Sequence, residues 1–230
     1  MKYSEIKGIK LCHREGTSDL KTFEEVIGKD VYQKKGMKIL PNETWIDCGG
    51  NVGAFTLLAC SKGAKVKVFE PDPNNCKMIE KNLSLNNFDA EIVCAGLVHN
   101  QTKKTNLYVG NNGNVWRNSM FKNWNGKGLK VDCVNFDESI PNGVCLKMDI
   151  EGAEMPILEN TTRIFKKMVF EWSFDIDPSL IRFWNIIEKL KEKYNIADIG
   201  NTAKYQTRDY DVWQKSWFPA CTNVFCYEKN

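Results

Sequence analysis

The sequence has 230 residues, of which 42% are hydrophobic and 27% charged, and its formal net charge at neutral pH is +3. This length suits one domain with a full hydrophobic core, and the weak charge without a lysine/arginine block makes nucleic acid an unlikely partner. No apolar run approaches the ~20 residues that a membrane-spanning helix needs, and the first residues are too polar for a signal peptide.

The nine cysteines show no CxxC spacing, and only two histidines accompany them, so a zinc site is not indicated. Cys60, Cys94, Cys145 and Cys226 lie within apolar runs, where cysteine acts as a small buried hydrophobe. We therefore expect reduced thiols and a cytoplasmic location.

From the N-terminus, residues 17–36 carry apolar side chains at helical spacing and predict a helical cap within residues 1–40. Residues 102–136 contain two strand-like runs around an Asn/Gly/Trp-rich loop, which predicts a hairpin insert on the acceptor side. Elsewhere strands alternate with helices, which predicts a single α/β domain over residues 1–230, a mostly parallel sheet with helices on both faces. The predicted strands are TWID, KVKVFEP, AEIVCAGLV, VCLKMDI, KMVFEWSF and TNVFCYEK, and the predicted helices are GAFTLLACSKGA, PNNCKMIEKNLSLNN, EMPILENTTRIF and PSLIRFWNIIEKLKEKY.

In such a sheet ligands bind beyond the carboxyl ends of the strands, so the residues there are the candidates for a site. The first of these strands ends in Asp47, directly before the glycine-rich turn CGGNVG, and the next ends in Glu70. No GxxxxGK[ST] motif is present, and a carboxylate at Asp47 would repel a pyrophosphate but attract an ammonium group. Glu70 can accept hydrogen bonds from a ribose diol. S-adenosylmethionine, which has an ammonium, a ribose and no phosphate, meets these requirements.

Three blocks of the sequence, WIDCGGNVGAFTLLAC, VFEPDPNNCKMIEKNLSLNN and LKMDIEGAEMPILEN, resemble the FkbM family of class I methyltransferases. The resemblance covers roughly residues 30–172. It implies a Rossmann-like, seven-stranded sheet and an S-adenosylmethionine-dependent O-methyltransferase, with a sugar or glycan as acceptor. Gly50 stands where the family usually has alanine, a change that we expect to leave cofactor binding unaffected.

The strand ends and the resemblance together give a set of candidate site residues. For the cofactor these are Asp47, Gly49, Asn51, Gly53, Glu70, Pro71, Cys94, Ala95 and Asp149. For removal of the acceptor's hydroxyl proton they are Lys147, Asp149, Glu151 and Glu171, without a choice of the base. Lys147 fits equally well as a cation that neutralises these acids. Asp149, Glu151 and Glu171 are alternatively ligands for a divalent cation such as Mg²⁺. We expect His99, which follows the third strand, to face solvent.

For the acceptor, the amides and tryptophans of the insert suit carbohydrate, because amides pair with hydroxyls and indoles stack on sugar C–H surfaces. The candidates are Asn114, Trp116, Ser119 and Glu154. Two alternatives stay open. Lys147, Asp149 and Glu171 are similar to the Lys/Asp/Glu sets that deprotonate a ribose 2′-hydroxyl, which would make the protein an RNA methyltransferase. A non-catalytic cofactor-binding module is the third reading, disfavoured by the retained acids.

Overall fold

The computed structural model describes residues 1–34, 36–110, 117–123, 128–174, 176–199 and 221–229. The strands are β1 (Lys2–Ile6), β2 (Ile9–His13), β3 (Thr44–Cys48), β4 (Lys65–Phe69), β5 (Glu91–Val93), β6 (Gly96–Val98), β7 (Lys104–Tyr108), β8 (Gly128–Asn135), β9 (Cys145–Met148), β10 (Lys167–Ser173), β11 (Tyr194–Ile199) and β12 (Cys221–Glu228). The helices are α1 (Asp19–Phe23), α2 (Ala54–Ser61), α3 (Pro73–Asn86), α4 (Phe136–Ser139), α5 (Glu154–Asn160) and α6 (Leu180–Lys193), and a π-helical turn, Glu24–Gly28, continues α1.

The main sheet has seven strands in the order β11-β12-β10-β9-β3-β4-β5. The five strands from β10 to β5 are parallel to their neighbours, whereas β12 runs antiparallel to both β10 and β11. The chain leaves β3 towards β4 and β5, then returns to the other side of β3 as β9. The order therefore reverses between β3 and β9, and the crevice at their carboxyl ends is where a sheet of this kind binds ligands.

Side chains from both faces of this sheet enter two hydrophobic cores, as β10 illustrates. Phe170 and Trp172 belong to one core, where Trp172 stacks on Phe183 of α6 with ring centroids 4.2 Å apart, and Val169 belongs to the other. Helices α4, α5 and α6 supply the first core, and α1, α2 and α3 supply the second. The predicted α/β architecture with a seven-stranded, mostly parallel sheet covered on both faces is confirmed.

The N-terminal region differs from the expected helical cap, because residues 2–13 form the antiparallel hairpin β1–β2. Lys7 and Gly8 both have positive φ, 51° and 80°, as a two-residue hairpin turn requires. Among the described residues of the 1–40 segment, helical structure is confined to Asp19–Gly28. Polar and apolar residues alternate over parts of KYSEIKGIKLCH, a pattern that is typical of β-strands.

The predicted third strand, AEIVCAGLV, is divided into β5 and β6 by Cys94 and Ala95. The amide of Ala95 donates a hydrogen bond to the carbonyl of Val93 at 2.9 Å. This tight turn ends the pairing of β5 with β4. β6 then joins a separate three-stranded sheet, β6-β8-β7, whose β7–β8 pair is antiparallel, as the sequence predicted for this insert. Within the described residues, no helix is long and apolar enough to cross a membrane.

Candidate active site at the β3–β9 crevice

A cavity of about 430 Å³ opens at the reversal point of the sheet, a volume within the range of small-molecule sites. Its floor is the glycine turn after β3 and the loop after β9. Its walls come from the N-terminal segment, from the β5–β6 connection and from β10 and β12. Candidate residues from separate parts of the sequence line this cavity: Gly49, Asn51, Glu70, Pro71, Ala95, Lys147, Asp149, Glu151 and Glu171.

The glycine turn is shaped by close contact between the two central strand ends. Gly49 has φ +83°, and a Cβ there would lie 1.8 Å from the carbonyl oxygen of Asp149. The amides of Gly49 and Gly50 both donate to the carbonyl of Phe69, at 2.9 and 3.1 Å. Gly53, with φ +90°, caps α2 and does not line the cavity. Of the predicted cofactor glycines, Gly49 borders the cavity and Gly53 shapes the turn behind it.

Gly50 is packed more tightly than the sequence suggested. An added Cβ would lie 2.3 Å from Val68 Cγ2 and 2.9 Å from Ile79 Cδ1. Because Val68 is fully buried on β4, a methyl group at position 50 requires β4 or the turn to shift. Alanine at this position would therefore need local repacking, while the expectation that glycine here leaves cofactor binding unaffected stays a prediction.

Asp47 lies beneath the glycine turn rather than in the cavity. It is fully buried, one carboxylate oxygen accepts from Thr56 Oγ1 at 2.7 Å, and the other lies 3.0 Å from Lys147 Nζ. Lys147 Nζ also donates to the carbonyls of Gly49 at 2.7 Å and Cys48 at 3.2 Å. The direct ammonium contact expected of Asp47 is corrected to an indirect role, because Asp47 fixes the lysine that fixes the turn.

Of the two roles that the sequence leaves open for Lys147, catalysis and neutralisation of the acids, the same contacts favour neutralisation. Burial alone would lower the pKa of the Lys147 ammonium, but the charges of Asp47 and Asp149 outweigh it and raise that pKa. Its ammonium is therefore a permanent cation, and its donors are used by Asp47 and by two carbonyls of the turn. Lys147 is the neutralising partner of the acids at this sheet edge.

Glu70, at the end of β4, is buried at the cavity edge. Its Oε2 accepts from the Asn51 amide at 2.7 Å, and its Oε1 accepts from the Asp72 amide at 2.9 Å and from Asn75 Nδ2 at 3.3 Å. Desolvation raises the pKa of Glu70 to about 7, although these hydrogen bonds oppose the shift. With one donor on Oε2, that oxygen keeps acceptor capacity for a hydroxyl in the cavity.

The β5–β6 connection forms the wall beside Glu70. Ala95 is buried and lines the cavity, as does Pro71. Cys94 is exposed, does not line the cavity, and forms a disulfide with Cys76 of α3. This bond corrects two expectations, that Cys94 is a buried free thiol and that it contacts the cofactor. No sequence pattern indicates the pair, because α3 must first fold onto the sheet to bring the two cysteines together.

Three carboxylates converge on one end of the cavity. Oxygens of Asp149, Glu151 and Glu171 lie within 4.8 Å of one another, which brings together all three predicted catalytic acids. Burial and then the charge of Asp149 raise the pKa of both Glu151 and Glu171 well above the usual glutamate range. Such carboxylates hold protons more strongly than free glutamate and are correspondingly better proton acceptors.

Tyr32 is a site residue that the sequence reasoning missed. Its hydroxyl donates to Asp149 Oδ2 at 2.7 Å, and its ring lines the cavity edge-on to Phe55, with centroids 5.8 Å apart. Burial, followed by the charges of Asp149 and Glu171, raises the pKa of the Tyr32 hydroxyl, so it remains a donor. It sits 117 positions from its partner, in a segment with no motif of its own.

The predicted acceptor residues that the structure describes do not line the cavity. Glu154 is buried outside the cavity lining, where its carboxylate accepts from the amides of Ile150 at 2.6 Å and Gly152 at 2.8 Å. Ser119 is also fully buried, and its hydroxyl donates to the Glu151 carbonyl at 2.6 Å. Both hold the 149–153 loop in shape rather than face an acceptor. Asn114 and Trp116 lie outside the described residues.

The insert instead contributes Arg117, Asn118 and Met120 to the cavity wall. Asn118 Nδ2 donates to Asp72 Oδ2 at 3.1 Å, which joins the insert to the start of α3. The charge of Arg117 opposes the rise in the Glu151 pKa, so its guanidinium lies near the acidic end. His99 is solvent-exposed, as expected.

The sequence model of the Methyltransferase FkbM domain matches residues 47–196, well over half of the chain. The chain belongs to the FkbM methyltransferase family. No curated protein matches its sequence.

Solved structures similar to this FkbM domain protein share its fold at low sequence identity. They include the Pyrococcus abyssi tRNA (uracil-54, C5)-methyltransferase in complex with S-adenosyl-L-homocysteine (TM-score 0.51, 15% identity, 98% of this chain and 44% of that one). A putative rRNA-methylase from Clostridium thermocellum has TM-score 0.51 and 10% identity over 96% of this chain and 99% of that one. A fibrillarin/Nop5p complex has TM-score 0.52 and 11% identity over 99% and 97%. The chain spans less than half the length of the Pyrococcus enzyme. At these identities the likeness shows the class I methyltransferase fold alone.

Proposed function

We propose that this protein transfers the methyl group of S-adenosylmethionine to a hydroxyl group of a sugar or glycan. The observation that carries the proposal is the convergence of Asp149, Glu151 and Glu171 at one end of the cavity. A hydroxyl acceptor has to lose a proton as the new O–C bond forms, and ionised carboxylates are acceptor-only groups suited to take it.

The cavity residues fit the cofactor. Gly49 lets the backbone approach within a distance that any side chain would block, and Glu70 offers carboxylate oxygens at the end of β4. When bound, S-adenosylmethionine supplies an electrophilic methyl group on a sulfonium. We assign Glu70 and the Pro71 and Ala95 walls to its adenosine end, and the Gly49–Asn51 turn to its methionine end.

Glu171 is our choice for the residue that accepts the hydroxyl proton. It projects from β10, where it pairs with Asn223 of β12 one residue beyond the last pair with β9, so its position is more rigid than that of the loop residue Glu151. Its raised pKa, caused by burial and by the charge of Asp149, makes its ionised form a stronger base than an ordinary glutamate. Asp149, held by Tyr32, and Glu151 flank it and orient the acceptor hydroxyl through further hydrogen bonds.

A divalent cation on the same carboxylates is a second way to activate the hydroxyl. All the donors are oxygens, as Mg²⁺ prefers. One more oxygen supports this alternative: Asn223 lies directly across from Glu171 on β12, lines the cavity, and has a buried Oδ1 without a hydrogen-bond partner among the residues that the structure describes. In that arrangement the four residues would hold the ion, whose charge would favour the ionised hydroxyl.

The contacts of Lys147 argue against the RNA ribose alternative. The Lys/Asp/Glu set considered for a ribose hydroxyl needs a lysine facing the acceptor, whereas Lys147 Nζ is committed to Asp47 and to the turn carbonyls. The three acids that converge in the cavity also favour an enzyme over a non-catalytic cofactor-binding module.

The test is methyl transfer from labelled S-adenosylmethionine to a panel of sugar-terminated acceptors, with RNA oligonucleotides and free amines as competing classes. The expected outcome is label on a sugar hydroxyl, with a Glu171→Gln variant reduced to near background. Label on RNA or on amines alone would contradict the sugar proposal. Parallel reactions with EDTA, then with added Mg²⁺, separate the two activation schemes: loss and recovery indicate the cation, and no change indicates the carboxylate base.

A further inference from the structure

The N-terminal wall, which we define as residues 19–32, covers one side of the cavity. Thr22, Glu25, Val26, Val31 and Tyr32 line the cavity from this segment. The wall lies entirely before residue 47, where the match to the FkbM domain begins. What it contributes to the site is therefore additional to the features that define the family.

The wall contains a π-helical turn, Glu24–Gly28, directly after a single turn of α-helix. Such turns are uncommon and occur frequently at functional sites. Helices this short have little stability of their own, so the wall depends on its contacts with the rest of the domain. Its inner residues Phe23 and Ile27 are fully buried in the core that includes α2.

At its end, the wall makes a specific polar contact with the reacting end of the site, the 2.7 Å bond from the Tyr32 hydroxyl to Asp149 Oδ2. The aromatic ring is held from two further directions, by the edge of Phe55 and by Lys147 Nζ, 5.6 Å from its centroid. A hydrogen bond to a charged carboxylate is among the stronger kinds in proteins. The ring contacts alone would place Tyr32, but only the hydroxyl ties it to Asp149.

We infer that Tyr32 is a positioning residue that fastens the N-terminal wall over the cofactor and fixes one oxygen of Asp149, leaving the other free for the cavity. The inference rests on the proposed function for its catalytic meaning, but the fastening itself is a property of the apo protein. It predicts that removal of the Tyr32 hydroxyl oxygen loosens the whole N-terminal wall, which begins 13 residues before Tyr32.

The decisive variant is Tyr32→Phe, which keeps the ring and its packing. In the protein without ligand, we expect amide hydrogen exchange of residues 19–29 to become about tenfold faster, as loss of one charged hydrogen bond allows, while exchange in β3 and β9 stays at the wild-type rate. Asp149→Ala breaks the same bond from the other side and should give the same acceleration. The double variant should be no faster than either single variant.

Tyr3→Phe is the matched control, because Tyr3 is 63% exposed on the edge hairpin β1–β2 and should leave exchange unchanged. The second readout is S-adenosylhomocysteine, whose dissociation from Tyr32→Phe we expect to be at least fivefold faster. Wild-type exchange in Tyr32→Phe, additive effects in the double variant, equal acceleration throughout the domain, or unchanged dissociation would each overturn the inference. Failure of the wild-type protein to bind S-adenosylhomocysteine would instead overturn the proposed function, since the exchange measurement needs no ligand.

Discussion

Lys147 Nζ lies 3.0 Å from Asp47 Oδ1, and both side chains are almost completely removed from solvent. The two residues occupy directly paired positions on the neighbouring strands β9 and β3. Through its bonds to the Cys48 and Gly49 carbonyls, the lysine also reaches the chain just beyond β3. One buried ion pair thus sets the path of the glycine turn.

Lys147→Met should destabilise the protein severely, because Asp47 would remain as an uncompensated buried charge. Removal of one partner of such a pair costs about 3–5 kcal/mol. The free energy of unfolding in urea measures this loss. Lys147→Met combined with Asp47→Asn should recover a large part of it, and a single variant as stable as the wild type would show that the pair is not what holds the turn.

Glu70 should make cofactor binding sensitive to pH near neutrality. Its pKa is raised to about 7, so the carboxylate is ionised above that pH and protonated below it. Since the ionised form is the better acceptor for ribose hydroxyls, affinity for S-adenosylhomocysteine should fall by up to about tenfold per pH unit as pH drops below 7. Calorimetry from pH 5.5 to 8.5 measures the slope. Glu70→Gln should bind weakly and without this slope; a slope that persists in the variant would assign it to another group.

Glu171→Gln should abolish most turnover while cofactor binding survives. Loss of a general base lowers rates by about 10²–10⁴-fold, and we expect S-adenosylhomocysteine affinity to stay within about threefold. In the wild type, the raised pKa of Glu171 means that the base becomes ionised only well above pH 4.5, so the rate should rise with pH above that point. The surface residue Glu159, paired with Arg182, supplies the control Glu159→Gln. Equal turnover by the two variants would exclude Glu171 as the base.

Gly50→Ala should lower stability, because the added methyl collides with Val68 on β4. Overpacking of a tight core typically costs about 1–3 kcal/mol. A double variant, Gly50→Ala with Val68→Ala, removes the side chain with which the new methyl collides. Its loss of stability should be smaller than the sum of the losses of the two single variants. Thermal unfolding of the four proteins completes the cycle; strict additivity would place the collision elsewhere.

Reduction of the Cys76–Cys94 disulfide should lower the melting temperature. The bond joins residues 18 positions apart, and a crosslink of that span contributes roughly 3 kcal/mol by constraining the unfolded chain. For a protein of this size that corresponds to about 6–12 °C. Cys76→Ser with Cys94→Ser should melt like the reduced wild type and ignore the reductant. Cys60→Ser, at a free thiol, should keep the wild-type response.

The sequence predicted the parts of this molecule in which local pattern and final contact coincide. Alternating strands and helices placed Asp149 and Glu171 at one sheet edge, and both meet there with Glu151. The burial of Asp47 beneath the turn could not be predicted in this way. A carboxylate at the end of β3 gives the same sequence pattern whether it faces a ligand or a buried lysine. The sequence therefore predicts Asp47 in the cavity and leaves Lys147 open between proton transfer and neutralisation of the acids.

Two contacts of the site are not visible in the sequence pattern, one between distant residues and one within a single loop. Tyr32 reaches Asp149 across 117 positions, and Glu154 turns back onto the amides of its own loop instead of facing outward. The first fact depends on how the N-terminal wall folds over the sheet. The second depends on the φ of +53° at Glu151 and +112° at Gly152, which aim two amides at one carboxylate.

The position of β12 in the sheet determines which fragments of this protein can fold. This last strand lies between β11 and β10, not at the sheet edge, and brings Cys221 and Asn223 to the cavity. A fragment cut at the limits of the family match, residues 47–196, would lose that internal strand together with Tyr32. It would leave an unpaired edge on β10 and a cavity open on two sides. The smallest piece that can be expected to fold and bind is thus set by strand order rather than by the extent of sequence similarity.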